Sequence, residues 1–76
     1  MFNRKIFSDN LRHYRTLHKL KQSELGEAIG ISLQQISSME NGVRAPSVEV
    51  LVALADYFSV SLDVLCGRSE SRERLP

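Results

Sequence analysis

The chain is poor in the residues that staple or interrupt a fold: it has no tryptophan, one cysteine (Cys66), two prolines and four glycines. A lone cysteine cannot form an internal disulfide, which excludes the small disulfide-built class of secreted domains. No apolar run approaches the roughly 18 residues of a membrane span. The opening MFNRKIFSDN also lacks the long apolar stretch of a secretory signal. These absences lead us to expect a soluble protein in the reducing cytoplasm, with no membrane partner. Catalytic and metal-binding patterns are equally scarce. His13 and His18 stand five apart on one helix and do not share a face, and Cys66 is remote from both. There is no phosphate-cradling glycine-rich loop, nucleophile motif or convincing carboxylate pair. The expectation is a protein that is not an enzyme and uses no cofactor or metal.

What is present is an ordinary globular composition, 42% hydrophobic and 25% charged. A chain of 76 residues encloses one small core and leaves no room for a second, catalytic domain. The net charge of +1 argues little by itself, but its distribution is uneven. Residues 1–45 carry seven cations (Arg4, Lys5, Arg12, Arg15, Lys19, Lys21, Arg44) against four acids (Asp9, Glu24, Glu27, Glu40). Residues 46–67 hold Glu49, Asp56 and Asp63 with no Lys or Arg. Such segregation suits a protein with one face toward phosphate and another toward protein, and it also arises by chance in short chains.

Apolar residues recur at spacings of three and four, and no segment keeps a strand's alternation, so the reading is all-α with five helices. The first runs from about Arg4 to His18, with Asn3 as N-cap and Phe7, Leu11 and Tyr14 on one stripe. The second covers about Gln22 to Ile29, with Leu25, Ala28 and Ile29 inward, and stops at Gly30. Lys21 is a poor N-cap for it, so either Ser23 compensates or the start frays. The third begins at Ser32, where Gln35 completes a capping box, and ends at Asn41-Gly42. Ser47 caps the fourth, which reaches Phe58 and turns Val50, Leu51, Leu54, Ala55 and Phe58 inward or toward a partner. Ser61 caps a short fifth from Leu62 to Leu65. Residues 1–67 thus form one domain, and 68–76, polar and charged, read as a mobile tail.

Only Gly30, Ile31 and Ser32 separate the second and third helices, which makes the pair a helix-turn-helix. Gly26 supplies the small residue that a steep crossing needs, at a cost of about 1 kcal/mol relative to Ala in a helix. Ile31 plugs the turn, and Ile36 and Met39 anchor the third helix from beneath. Leu33, Gln34, Ser37 and Ser38 are left outside. That strip suits a major groove, where Gln bonds an adenine edge bidentately and an apolar side chain meets a thymine methyl. Taken alone, it reads better as a solvated surface.

The stretch LKQSELGEAIGISLQQISSMENGVRAPSVEVLVALADYFSVSLDVL resembles the Cro/C1-type regulators, the lambda-repressor-like or Xre family. The likeness runs from about Phe7 to Leu65 and rests on separated elements agreeing in order and spacing: Arg15, Gln22, Leu25, Gly30, ISSMENG, Pro46-Ser47 and VSLDVL. It implies a compact five-helix DNA-binding domain with the recognition helix at about 33–41, acting as a transcriptional regulator on a two-fold operator in double-stranded DNA. Repression is the favoured sign, with a phage, restriction-modification or chromosomal setting. The alternative is an antitoxin or adaptor that uses the same fold to hold a protein.

By the same resemblance, Leu33, Gln34 and Ser38 fall at base-facing positions, with Ser37 more peripheral. Gln22 falls where the family clamps a phosphate and braces the first residues of the recognition helix. Ser32, Gln35, Asn41 and Arg44 fall where the DNA backbone is held, joined by Lys21. Arg15 and Glu40 occupy the positions of an ion pair tying the first helix to the third. Three departures stand out. Lys21 replaces the usual Thr or Ser cap, Gly26 replaces the usual Ala, and Leu33 stands where many members carry a polar reader. Contact with a thymine methyl and no readout at all are both open for Leu33. Homologous domains bind as two-fold dimers with recognition helices about 34 Å apart. The expected homodimer surface is the cation-free segment around Phe58, Val60, Leu62, Val64, Leu65 and Cys66, with Leu62 and Leu65 also closing the core. Cys66 reads as a small apolar filler, with a disulfide across the dimer as the minor alternative.

Overall fold

The computed structural model describes residues 2–68. Among these residues the chain forms five helices and no strand: α1 (Arg4–Leu17), α2 (Gln22–Ile29), α3 (Leu33–Glu40), α4 (Val48–Phe58) and α5 (Leu62–Cys66). The tail expected to start at Arg68 lies, beyond that residue, outside the described residues; the Arg68 N–H itself donates to Asp63 O at 2.8 Å.

Each helix starts on a side chain or carboxylate that satisfies its first orphan amides. Asn3 Oδ1 accepts from Ile6 N, Ser47 Oγ from Val50 N and Ser61 Oγ from Val64 N, all within 3.1–3.2 Å. The poor cap expected at Lys21 is repaired by neither of the routes foreseen. Glu24 reaches back and its Oε1 accepts from Lys21 N–H at 2.7 Å, placing a carboxylate at the positive end of α2.

The core consists of Phe7, Leu11 and Tyr14 from α1, Leu25, Ile36 and Met39 from the central pair, Leu54, Ala55 and Phe58 from α4, and Val64 and Leu65 from α5. Tyr14 stacks on Phe58 with ring centroids 5.7 Å apart, joining α1 to α4. Leu20, Ile29, Ile31, Val50, Leu51 and Val60 pack around this cluster as partly buried residues. Two expectations are corrected. Ala28 is exposed, because α2 is two turns long and buries only Leu25 and Gly26 fully. Leu62 is 43% exposed and does not close the core; at the first turn of α5 it lies off the face carrying Val64 and Leu65.

α3 sits between α1 and α2, while α5 and α4 pack behind. This arrangement buries the inner face of α3 and leaves its outer face clear. No helix among the described residues is long and apolar enough to cross a membrane.

Candidate nucleic-acid interface

The turn between α2 and α3 is held at both ends. Gly30 takes the left-handed conformation at φ 81°, which a residue without Cβ adopts at no steric cost. The next residue turns back, and Ile31 N–H donates to Gly26 O at 2.8 Å. A Cβ at Gly26 would stand 2.6 Å from Ile31 O, so the backbones meet at Gly26 as its size suggests. Ser32 then opens α3 through a reciprocal box: Ser32 Oγ accepts from Gln35 N at 3.1 Å and Gln35 Oε1 accepts from Ser32 N at 3.0 Å. The box occupies the amide oxygen of Gln35 and leaves its NH2 group pointing to no partner among the described residues.

α3 buries Ile36, Met39 and Glu40. Leu33, 49% exposed, and Gln34 stand fully outside, with Ser37 and Ser38 half-buried beside them. The site residues expected from the sequence are brought together in large part. Gln34 and Ser38, expected at bases, share one shallow concavity with Ser32, Gln35 and Arg44, expected at the backbone. The loop after α3 folds over to close it, since Val43 N and Arg44 N both donate to Ser38 O, at 3.0 and 3.3 Å. Asn41 lies exposed at the other end, its Nδ2 3.5 Å from Ser37 Oγ. Lys21 is exposed at the start of α2.

Beneath this surface lies a buried charge. The Glu40 side chain is 0% exposed. Arg15 grips it in fork fashion, Nε to Oε2 at 2.5 Å and Nη2 to Oε1 at 3.0 Å, while its Nη1 donates to Leu20 O at 2.7 Å. The expected Arg15–Glu40 pair is therefore present with good bidentate geometry. Gln22 differs from expectation: its Nε2 donates to Glu40 Oε1 at 3.0 Å, so it braces the last residue of the recognition helix and not the first. The geometry explains this, because the start of α2 faces the end of α3 across the buried carboxylate.

The dimer surface is corrected more sharply. Phe58, Val64 and Leu65 are buried in the protein's own core, and Val60 packs against it, because a domain this small needs its aromatic and branched residues to close on itself. Of the expected set only Leu62 is well exposed. Cys66 is a free, half-buried thiol. Burial pushes its pKa up, Asp63 adds to the rise and Arg68 opposes it. The thiolate that disulfide chemistry requires is thus disfavoured.

Three α1 residues not expected at the surface of α3 and its following loop also reach it. Ser8 is buried, and its Oγ shares its one proton between Met39 O at 2.6 Å and Arg4 O of the preceding turn at 2.7 Å. Arg12 Nη2 donates to Glu40 O at 2.9 Å, and Arg4 Nη1 to Val43 O at 3.2 Å. Their spacing of four was the available signal, since it puts all three on one face of a helix.

An exposed polar helix seated on a second helix through a tight glycine turn, with amide and cationic donors on its rim, defines a helix-turn-helix DNA-binding domain. The chain matches the helix-turn-helix family over residues 11–65, and it belongs to the Cro/C1-type, Xre-like branch of these transcriptional regulators. It is 34% identical over 55 residues to an uncharacterised HTH-type transcriptional regulator of Methanocaldococcus jannaschii, covering 72% of this chain and 83% of the relative. It is 37% identical over 60 residues to the cryptic phage CTXphi transcriptional repressor RstR of Vibrio cholerae, covering 79% of this chain. The chain spans only 54% of that repressor's length. Among solved structures, the P22 c2 repressor in complex with a synthetic operator superposes with a TM-score of 0.79 at 30% identity, covering 84% of this chain and 97% of that one.

Proposed function

We propose that this protein is a repressor that binds a two-fold symmetric operator as a homodimer, laying α3 in the major groove. The observation that carries the reading is the clear outer strip of α3. Gln34 and Ser38 lie beside the donors of Ser32, Gln35 and Arg44 in one concavity, so groups able to read base edges and groups able to hold phosphates converge on one surface. Leu33, exposed and apolar, suits a thymine methyl. Gln22, Lys21 and Asn41 extend the phosphate-holding rim to either side. The likeness to RstR, a phage repressor, and to the operator-bound P22 c2 repressor favours repression over activation. No observation favours the antitoxin or adaptor alternative.

Binding of the purified chain to its own upstream duplex and to an unrelated duplex, across a salt series, tests the reading. Wild type is expected to prefer the upstream duplex at every salt concentration while both affinities fall with salt. Gln34→Ala is expected to cost about 1–3 kcal/mol on the preferred duplex alone, the worth of one bidentate base contact. Equal, weak binding of wild type to both duplexes would refute it.

The dimer rests on separate grounds. The cation-free segment exposes Val48, Val52, Tyr57 and Leu62, an apolar excess near the acidic Glu49, Asp56 and Asp63. Sedimentation of the complex with a duplex holding two half-sites is expected to give two chains per duplex; one chain at saturation would rule the dimer out.

A further inference from the structure

Arg4, Ser8 and Arg12 lie four residues apart on α1; Ser8 and Arg12 donate to the last two carbonyls of the recognition helix, and Arg4 donates to a carbonyl of the loop that follows it. Arg12 Nη2 reaches Glu40 O at 2.9 Å, Ser8 Oγ reaches Met39 O at 2.6 Å and Arg4 Nη1 reaches Val43 O at 3.2 Å. Glu40 O and Val43 O have no other donor among the described residues. The last carbonyls of a helix are its orphan acceptors and the negative end of its dipole, so hydroxyl and guanidinium donors are the groups that suit them. Arg12 does a second task, since its Nε stands 3.6 Å from Glu40 Oε1.

We infer that this row of donors positions α3 along and about its own axis, and so contributes to operator discrimination without touching DNA. The inference rests on the proposed reading of α3 as the recognition helix. α3 has eight residues, barely two turns, too few to hold an orientation by backbone bonds alone. Its first turn is fixed by the Gly26–Ile31 closure and the Ser32 box. Its last turn is fixed by α1, through Arg15 on the Glu40 carboxylate and this row on the carbonyls. A groove-reading side chain must be placed to a fraction of an ångström for a bidentate contact, so freeing one end of α3 blurs Gln34 and Ser38. Arg4, Ser8 and Arg12 are therefore positioning residues. Arg12 is 50% exposed at its side chain, so its replacement leaves no charge stranded in the interior beyond what Arg15 already holds.

The test uses the full chain and a duplex selected by wild type from a random-sequence pool, measured against an unrelated duplex across a salt series. Circular dichroism confirms folding at the binding temperature. Arg12→Gln and Ser8→Ala are expected each to lower the preference for the selected duplex by about tenfold, within the range of indirect coupling. Non-specific affinity and the salt slope are expected to stay at the wild-type values. Ser8→Ala changes no charge, so its loss cannot come from phosphate attraction. Equal loss on both duplexes with a slope shallower by about 0.9 for Arg12→Gln would overturn the inference, because it would make Arg12 a direct phosphate contact. Folded variants that keep the full preference would overturn it too. Failure of wild type to select any sequence from the pool would instead refute the underlying reading of α3.

Discussion

Arg15→Ala is expected to remove most of the protein's stability at 25 °C. Glu40 has no solvent-exposed side-chain surface, and Arg15 supplies both of its short cationic bonds, at 2.5 and 3.0 Å. Removing one partner of a buried pair costs about 3–5 kcal/mol, because the remaining charge has neither water nor counter-ion. Total stability for a domain of this size is only about 5 kcal/mol or somewhat more. Arg12 and Gln22 soften the loss without replacing it: Arg12 Nε is 3.6 Å from Oε1 and half in water, and Gln22 brings no charge. Leu20 O would also lose its Arg15 donor. Urea titration followed by circular dichroism checks the expectation, which is a midpoint collapsing toward zero denaturant. The double replacement Arg15→Met with Glu40→Leu separates the causes. Filling the same volume with apolar groups removes the stranded charge, so it is expected to recover most of the lost stability. A double variant as unstable as Arg15→Ala would mean that the lost bond to Leu20 O and the lost packing are responsible, and not the buried carboxylate.

The same carboxylate shows where sequence reading succeeds. Helix positions and starts were legible because they depend on local rules: Ser32 with Gln35, Ser47 and Ser61 each sit one residue before an apolar period, and each makes the expected cap. The convergence of Gln34, Ser38, Ser32, Gln35 and Arg44 was legible through the family pattern, which fixes residues on both sides of a tight turn. Arg15 and Glu40 were legible for the same reason. By contrast, the spacing of Arg12 from Arg4 and Ser8 marks a shared helix face but not what that face meets. The partner of Arg12 is a carbonyl 28 residues away, and only the crossing of α1 over the end of α3 brings them together.

Burial was the harder quantity. The cation-free segment offered Phe58, Val64 and Leu65 as surface, yet all three went to the core. In a chain this short, the apolar residues that look spare for a partner are the ones the domain needs for itself. Leu62 and Ala28 went the other way, since a helix of five or eight residues has one buried face and the direction of that face is set by its neighbours. The left-handed backbone at Lys19 (φ 57°) and Ser59 (φ 59°) also escaped notice. Non-glycine residues enter that region because the chain must reverse between packed helices, and their side chains carry no mark of it.

Gly26 is where local and tertiary demands collide, and Gly26→Val is expected to be the most damaging single change outside the buried ion pair. A glycine inside a helix costs about 1 kcal/mol against alanine, so local propensity alone would favour replacement by any residue but proline. The tertiary contact reverses that sign. The first added carbon would lie 2.6 Å from Ile31 O and 3.4 Å from the Ser32 backbone. Neither can rotate away, since Ile31 N–H is tied to Gly26 O at 2.8 Å and Ser32 caps α3. Valine adds two methyl groups to that carbon and stiffens it. Relief requires the whole turn to lift, which separates α2 from α3 and pulls Ile31 from the core edge. Overpacking of this kind costs about 3 kcal/mol, and thermal melting is expected to show a fall of roughly 12–24 °C at the 4–8 °C per kcal/mol usual for domains of this size. A melting temperature within a few degrees of wild type would mean that the turn yields freely, and the rigidity assigned to the first turn of α3 would have to come from the Ser32 box alone.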